Sequence, residues 1–590
     1  MRSRKVYEGP RRQLVLAFDV GTTFSGISYS ILQPGLPPEI RTVTRFPAQD
    51  SANGTSKIPT IVYYDAFGNV RAVGAEATRS GIDIEAAKQG WVKAEWFKLH
   101  LRSTSVGSSA AGTAIPPLPA GKRAVDVLAD FLSYLRACAA AYISEAHLGG
   151  AELWTAAGAD ARYVLAHPNG WGGAEQARMR DAAVRAGLVR ANERERITFV
   201  TEGEASLHFC VTAGVLTKAE MKKCPNFIIV DAGGGTIDIS AYRQNPANDT
   251  QAFEEIAPAQ CLFRGSVFVN MYARRYFVGL LEGTDFEDDV DNLVEVFDKT
   301  TKIRFKTDQD PQYLKFGSMR DNDTACNITA GQLRLDGKDV AAFFQPSIDA
   351  ILQAVLKQQR ATSHKISHIL FVGGFSANDW LFNNITRILM ERGYWMRVVR
   401  PEAHINKAVA EGAVSFFLDH FVQTRMSKAF YGLSICDYYD PRNSEHRLRA
   451  RSTFVQADGR TYVPNVFSVI LPKSIQVSEA KIFRQGYIHQ SFLKSKLEKL
   501  RMEITCYKGL DCDPRWLDID EGSYDNLCYI EAELPSHIIE TRRNPQGKTF
   551  YCVDFEVVLF FGLTEIKAQI AWNKSSGREK RGPATVVYDD

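Results

Sequence analysis

Two short segments of this chain carry residues whose types and spacing could hold a phosphate. The first is Leu14-Val-Leu-Ala-Phe-Asp19-Val-Gly21-Thr22-Thr23, and the second is Phe227-Ile-Ile-Val-Asp231-Ala-Gly233-Gly234-Gly235-Thr236. In each, an apolar run ends on an aspartate and a glycine follows two residues later. An Ile-Ser pair then closes the unit, Ile27-Ser28 and Ile239-Ser240, at the same offset from the two aspartates. Glycines let such a turn bring backbone N–H groups against a phosphate with no Cβ in the way. Threonine hydroxyls add donors, and an aspartate at the mouth of a strand can organise Mg²⁺ through its water shell, since Mg²⁺ dehydrates reluctantly. Two such hairpins facing each other would grip the β- and γ-phosphates of one nucleotide. The plainer alternative, two hairpins whose turns merely need glycine, accounts for either copy alone better than for both with their aspartates. No Gly-x4-Gly-Lys-Ser/Thr loop and no Gly-x-Gly-x-x-Gly after a strand supports the other common nucleotide folds.

Such turns need rigid strands behind them. Leu14 to Val20 is almost continuously apolar, as a strand buried on both faces would be. Ile58–Tyr64 and Asn69–Val73 read as further short strands, and the Ser-, Gly-, Ala- and Pro-rich stretch from Ser103 to Lys122 as a loop. Val127, Leu128, Phe131, Leu135, Cys138 and Tyr142 recur at helical spacing. Arg162–His167 is a predicted strand, and Glu175–Ala186 a helix ended by Gly187. Ile197–Val200 is again a strand, and Gly203–Gly214 a helix. The pattern resumes at Phe227–Val230 and Ile369–Val372, which predicts an α/β fold with buried, largely parallel strands.

Beyond about residue 420 the texture changes. Met502, Ile504 and Cys506 alternate with polar neighbours, as do Ile566, Ala568, Ile570 and Trp572, with a hairpin turn expected at Gly562-Leu563-Thr564. Period-two alternation marks half-buried antiparallel strands, so a β-rich second domain is expected. The charged stretch from Asn573 to Asp590 reads as a polar, unstructured tail.

The bulk numbers are those of a globular protein: 590 residues, 45% apolar and 24% charged, with a net charge of +3. That charge argues against a nucleic-acid groove or an anionic membrane as partner. The basic start lacks the apolar core of a secretory signal, and no run of eighteen apolar residues suggests a membrane span. Ten cysteines without a Cys-x-x-Cys pair point to reduced thiols and a cytoplasmic location.

Several motifs together resemble the seventy-kilodalton heat-shock chaperone family of the actin-like ATPase superfamily, and within it the divergent members abundant in filamentous fungi. They are Phe18-Asp19-Val-Gly21-Thr22-Thr23-Phe24-Ser25, Val230-Asp231-Ala-Gly233-Gly234-Gly235-Thr236, Phe371-Val372-Gly373-Gly374-Phe375-Ser376 and Ala408-Val409-Ala410-Glu411-Gly412-Ala413. The resemblance spans roughly residues 12–420. It implies a duplicated actin-like (ribonuclease H-like) ATPase domain at 13–420, with lobes at 13–225 and 226–420, behind a short tail at 1–12. Residues 421–572 would then be a β-rich domain standing where the family binds substrate, and 573–590 a polar tail.

The resemblance also implies roles. Asp19 and Asp231 would organise Mg²⁺, and Gly21, Thr22, Thr23, Phe24, Gly233, Gly234, Gly235 and Thr236 would surround the phosphates of ATP or ADP. Lys98 matches the lysine that reaches the γ-phosphate, with Lys93 as its rival, and Glu202 the carboxylate near the attacking water. Gly265, Lys302, Gly373, Gly374 and Phe375 would lie around the adenosine, although a solvated helix face is the alternative for Lys302 and Arg304. The sequence departs from the pattern at Gly203 (usually proline), Phe375 (usually serine) and Asn406-Lys407 (usually acidic). The family's interdomain linker, helical lid and acidic C-terminal tetrapeptide are not recognisable. The implied function is slow Mg²⁺-dependent ATP hydrolysis as a conformational switch, with client proteins or peptides and co-chaperones as partners. A non-hydrolysing nucleotide-binding scaffold and a small-molecule kinase are the alternatives.

Overall fold

The apolar run ending on Asp19 forms the strand Gln13–Val20 (β1), with seven of its eight residues buried. It pairs antiparallel with Phe24–Leu32 (β2), and β2 pairs antiparallel with Arg41–Thr42 (β3) and with Lys57–Pro59 (β4). On its other side β1 runs parallel to Arg162–His167 (β5), which runs parallel to Ile197–Thr201 (β6). The computed structural model describes residues 4–49, 56–102, 115–245, 252–401, 407–478, 481–562, 565–573 and 579–582.

A second sheet repeats this plan. Asn226–Ala232 (β7) pairs antiparallel with Ile237–Gln244 (β8), which pairs antiparallel with Phe253–Leu262 (β9). On the other flank β7 runs parallel to His368–Val372 (β10), and β10 to Arg397–Val399 (β11). Each sheet has its own apolar core. Phe18, Tyr163 and Phe199 pack with Val127, Phe131 and Leu135 of the helix Ala124–Ala146 (α1) in the first. Val230, Ile239 and Phe371 pack with further helices in the second. Burying each large side chain is worth roughly 1.5–3 kcal/mol, which holds the strand ends, and the turns beyond them, in fixed positions.

Two helices cross between the sheets. Glu202–Thr212 (α2) follows the first sheet in sequence but packs on β7 and β8 of the second. Ser266–Leu281 (α3) and Gly337–Ala361 (α4) both belong to the second sheet's core. Ala408–Asp419 (α5) follows the second sheet and packs on β1, β2 and β5 of the first. The two crossing helices meet at Gly412, where a Cβ would lie 1.8 Å from the Ala205 carbonyl oxygen. Only glycine allows that approach.

The chain divides into two compact units, residues 1–171 with 178–422, and 172–177 with 423–590. The second unit contains two antiparallel sheets. One includes Phe430–Tyr438, Thr461–Leu471, Lys499–Tyr507 and Tyr524–Glu533, and the other Ile482–Ser491, Thr549–Gly562 and Glu565–Asn573. Leu433, Ile504 and Ile530 from one sheet share a core with Val557 and Ile570 from the other.

Several sequence expectations need amending. The run Ile58–Tyr64 is not one strand: it breaks at Thr60, whose N–H donates to the Thr23 carbonyl at 2.8 Å, and Ile61–Tyr64 joins a separate small sheet. Pro59, lacking a donor, cannot extend a ladder through this point. The polar stretch after Asn573 is not wholly irregular, because Glu579–Arg581 pairs with Ala571–Asn573. The helix expected over 175–186 runs Gly173–Arg185, with Gly187 at φ 71° beyond its end. Gly562 pairs with Glu565, while Leu563 and Thr564 of the expected turn, Ser103 to Ala114 of the expected loop and Asn406 lie outside the described residues.

Candidate functional site

Both repeated segments form strand–turn–strand hairpins, and their turns touch. A Cβ on Gly235 would lie 2.3 Å from Thr22 Oγ1, and one on Gly234 2.3 Å from Thr23 Oγ1. Gly21 is required for a different reason: a Cβ there would come within 2.4 Å of the Phe24 carbonyl oxygen, so the first turn closes only on glycine. The second turn is braced by α3. The N–H groups of Gly265, Ser266 and Val267 donate to the carbonyls of Gly235, Gly233 and Gly234 at 3.2, 3.1 and 2.9 Å. The first turn of that helix therefore satisfies its own orphan donors while fixing the glycine loop.

Carboxylates collect at the strand ends behind the turns. Asp19 and Asp231 close β1 and β7, and both are buried. Ser206 on α2 donates to Asp231 Oδ2 at 2.6 Å, and a Cβ on Gly373 would lie 2.4 Å from Asp231 Oδ1. Gly373 has φ 85°, so it is glycine both for conformation and for space. Burial pushes the Asp231 carboxyl up to about 7, with the Glu202 and Asp19 charges adding to the effect and the Ser206 hydroxyl opposing it. Asp238 is fully buried opposite Asp231 on β8, accepting the Asn169 N–H at 2.5 Å. Burial and the Glu202 charge hold it well above the ordinary carboxyl range.

Lys98 donates to Glu202 Oε1 at 2.6 Å, both side chains being buried, and its ammonium lies 5.5 Å from the Trp171 ring centre. Glu202 is the first residue of α2, where the helix dipole favours a negative charge, and Thr201 caps that helix by accepting the Glu204 N–H at 3.2 Å. The rival Lys93 pairs with Glu95 at 3.3 Å and is 41% exposed. Gly203 has a physical reason to be glycine: a Cβ would fall 2.6 Å from Ser240 Oγ and 2.9 Å from Asn169 Oδ1.

The residues expected around an adenosine are spread over one neighbourhood but not all face outward. Lys302 is not on a solvated face. It is paired with Asp298, points its ammonium at the Ser266 carbonyl at 3.5 Å, and is held below the usual lysine range by burial. Asn378 donates to the Lys302 carbonyl at 2.7 Å, which ties that helix to the Gly373–Asn378 segment. Gly374 faces open space. Phe375 does not line a ligand surface: it is 5% exposed and stacks on Phe344 of α4 in the core. Phe24 is 52% exposed.

Sequence reasoning missed Lys57, Asn169, Ser206 and Asp238. Asp238 stands one residue before the Ile239-Ser240 pair, where the first repeat has Gly26, so comparing the two repeats position by position was the available signal. Lys57 Nζ lies 2.7 Å from Asp19 Oδ2.

No family model matches this chain. It is 22% identical to heat shock 70 kDa protein 12A of Homo sapiens over 651 aligned residues, covering 95% of this chain and 90% of that protein. Heat shock 70 kDa protein 12B of Homo sapiens is also 22% identical, over 94% of this chain and 88% of its own length. The chain is thus similar to heat shock 70 kDa proteins over nearly its whole length, at low identity. Its mixed α/β architecture, with a repeated sheet plan, is consistent with the actin-like fold of heat shock 70 kDa proteins.

Whether the site suits a metal is judged by the donors present. Among the described residues no three carboxylate, histidine or cysteine side chains cluster closely enough to ligate an ion directly. Asp231, backed by Asp238, offers buried oxygen donors suited to a hydrated Mg²⁺. Asp19 already carries an ammonium partner. The fit is therefore to an ion held through its waters on the Asp231 side. No helix among the described residues is long and apolar enough to cross a membrane.

Proposed function

We propose that this chain binds ATP and ADP at the two facing turns and hydrolyses ATP slowly, as a conformational switch for binding proteins or peptides. The observation that carries the reading is the contact of Thr22 and Thr23 with Gly235 and Gly234, with Asp19 and Asp231 directly behind. Phosphoryl transfer asks a protein mainly for positioning and charge neutralisation. Here the turn amides and the hydroxyls of Thr22, Thr23 and Thr236 would bind phosphate oxygens, and Lys98 would meet the γ-phosphate. Glu202, held by Lys98, would orient water. A bound Mg²⁺, its waters held by Asp231, would supply further neutralisation of the phosphates. Because α2 carries Glu202 and Ser206 on one sheet while packing against α5 on the other, loss of the γ-phosphate would be felt by both sheets. Residues 423–590 are the proposed site of client or peptide binding, and co-chaperones are proposed partners of the switch.

A second reading, nucleotide binding without useful turnover, is favoured by the ammonium of Lys57 on Asp19. Phosphate release from Mg·ATP by the wild-type chain and by Asp231→Asn, with melting shifts in ATP and ADP, separates the two. Release by wild type alone, at least about tenfold above the variant, is expected for the switch. Stabilisation by nucleotide without release supports the scaffold, and no response to either nucleotide refutes both.

A further inference from the structure

The register of the first sheet sets three residues in a row. Asp19 on β1 stands opposite Gly26 on β2, and Gly26 stands opposite Lys57 on β4. Directly opposed residues share a sheet face, and strands lie about 4.8 Å apart, so Lys57 and Asp19 are two strand spacings from each other. A lysine side chain spans that gap only by lying flat across the middle strand. It does so here because the middle residue is glycine: a Cβ on Gly26 would lie 3.3 Å from Lys57 Cγ and 3.7 Å from its Cε. The ammonium then arrives 2.7 Å from Asp19 Oδ2, with the Lys57 side chain 22% exposed and Asp19 4%. The equivalent row of the second sheet reads Asp231, Asp238, Cys261, with no cation. The lysine is thus a feature of one repeat only. It sits against Asp19, two residues before Gly21 of the first turn.

We propose that Lys57 is a built-in cation of the nucleotide site, which binds the nucleotide's phosphates from the Asp19 side and makes binding largely independent of Mg²⁺. The inference rests on the nucleotide reading above and deepens it. Asp19 and Asp231 would otherwise confront a polyphosphate with two bare carboxylates, and a divalent ion would be needed between them. With Lys57 across Gly26, one of these carboxylates is neutralised by the chain itself. The ammonium has three donors, of which the Asp19 contact takes one, and the side chain is 22% exposed.

The test is calorimetric titration of the full chain with ATP and ADP, in Mg²⁺ and in EDTA, for wild type, Lys57→Met and Lys57→Arg. Wild type is expected to keep its affinity within about tenfold when the metal is removed, a charged hydrogen bond to phosphate being worth about that factor or more. Lys57→Met should lose about tenfold to a hundredfold more affinity in EDTA than it loses in Mg²⁺, and Lys57→Arg should restore binding in EDTA. A merely structural lysine would weaken both conditions alike. Wild type that binds in Mg²⁺ and not in EDTA would overturn the proposal while leaving the nucleotide reading intact. That comparison stands even if Lys57→Met does not fold. Absence of binding in both buffers would refute the nucleotide reading, and this inference with it.

Discussion

Asp231 shows how a site can be poised at a cost in stability. Its carboxyl is buried beside Asp19, Glu202 and Asp238, and its pKa of about 7 in the folded chain lies above the ordinary value of 3.8. A carboxyl whose folded pKa is raised opposes folding once pH exceeds the unfolded value, and the penalty grows until pH passes the folded one. At one unit per 1.36 kcal/mol the penalty at neutral pH is on the order of 1–4 kcal/mol. Asp231→Asn keeps an acceptor for Ser206 and removes the charge. It is therefore expected to be more stable than wild type in the absence of nucleotide and metal, with the advantage widening from about pH 5 to about pH 7. Urea unfolding at several pH values measures this, and a variant no more stable than wild type at pH 7 would contradict it. Lys98→Ala makes the opposite case, because it leaves Glu202 buried without its cation. A loss of about 3–5 kcal/mol is expected for breaking such a buried pair, again read by urea unfolding.

At the scale of elements the site depends on two helices that each follow one sheet and pack on the other. Their closest approach is Gly412 against the Ala205 carbonyl. Gly412→Ala would force α2 and α5 apart, with an expected loss of about 1–3 kcal/mol or more. Since α2 delivers Glu202 and Ser206, nucleotide affinity should fall in the same variant, whereas Gly393→Ala, at an open position with φ 78°, should cost stability only through backbone strain. Equal nucleotide affinity in the two variants would show that α2 is not what positions the site. The strands themselves were readable. The runs ending at Asp19 and Asp231 are apolar at successive positions because helices or strands cover both faces, whereas in Lys499–Tyr507 burial alternates only at Lys499–Arg501 and the strand is buried at every position from Ile504 to Tyr507, Thr505 included. The break at Thr60 has one local sign, Pro59, within an otherwise β-branched and apolar run.

Across the whole chain, all ten cysteines are unpaired thiols, six of them buried, so covalent cross-links contribute nothing to stability. The melting temperature should therefore be the same with and without reductant, and a drop of more than about 4 °C in reductant, equivalent to about 1 kcal/mol or more, would point to a disulfide. Each repeated sheet and the second unit has a large apolar core of its own, and the nucleotide-type residues fall entirely within the first unit.

The sequence by itself determined the two hairpins, their glycines and their aspartates, because tight turns and close backbone approach leave local marks in residue type. It also determined the alternation of strands and helices and the change to antiparallel texture beyond residue 420, since burial on one face or two is written in the period of apolar residues. Only the tertiary structure decided that Lys57 reaches Asp19 over Gly26, that Asp238 meets Asn169, and that Ser206 serves Asp231. It alone moved Phe375 into the core and Lys302 off the solvent face. These contacts join residues far apart in the chain through strand register and helix crossing, and neither leaves a periodic signal in the residues that take part.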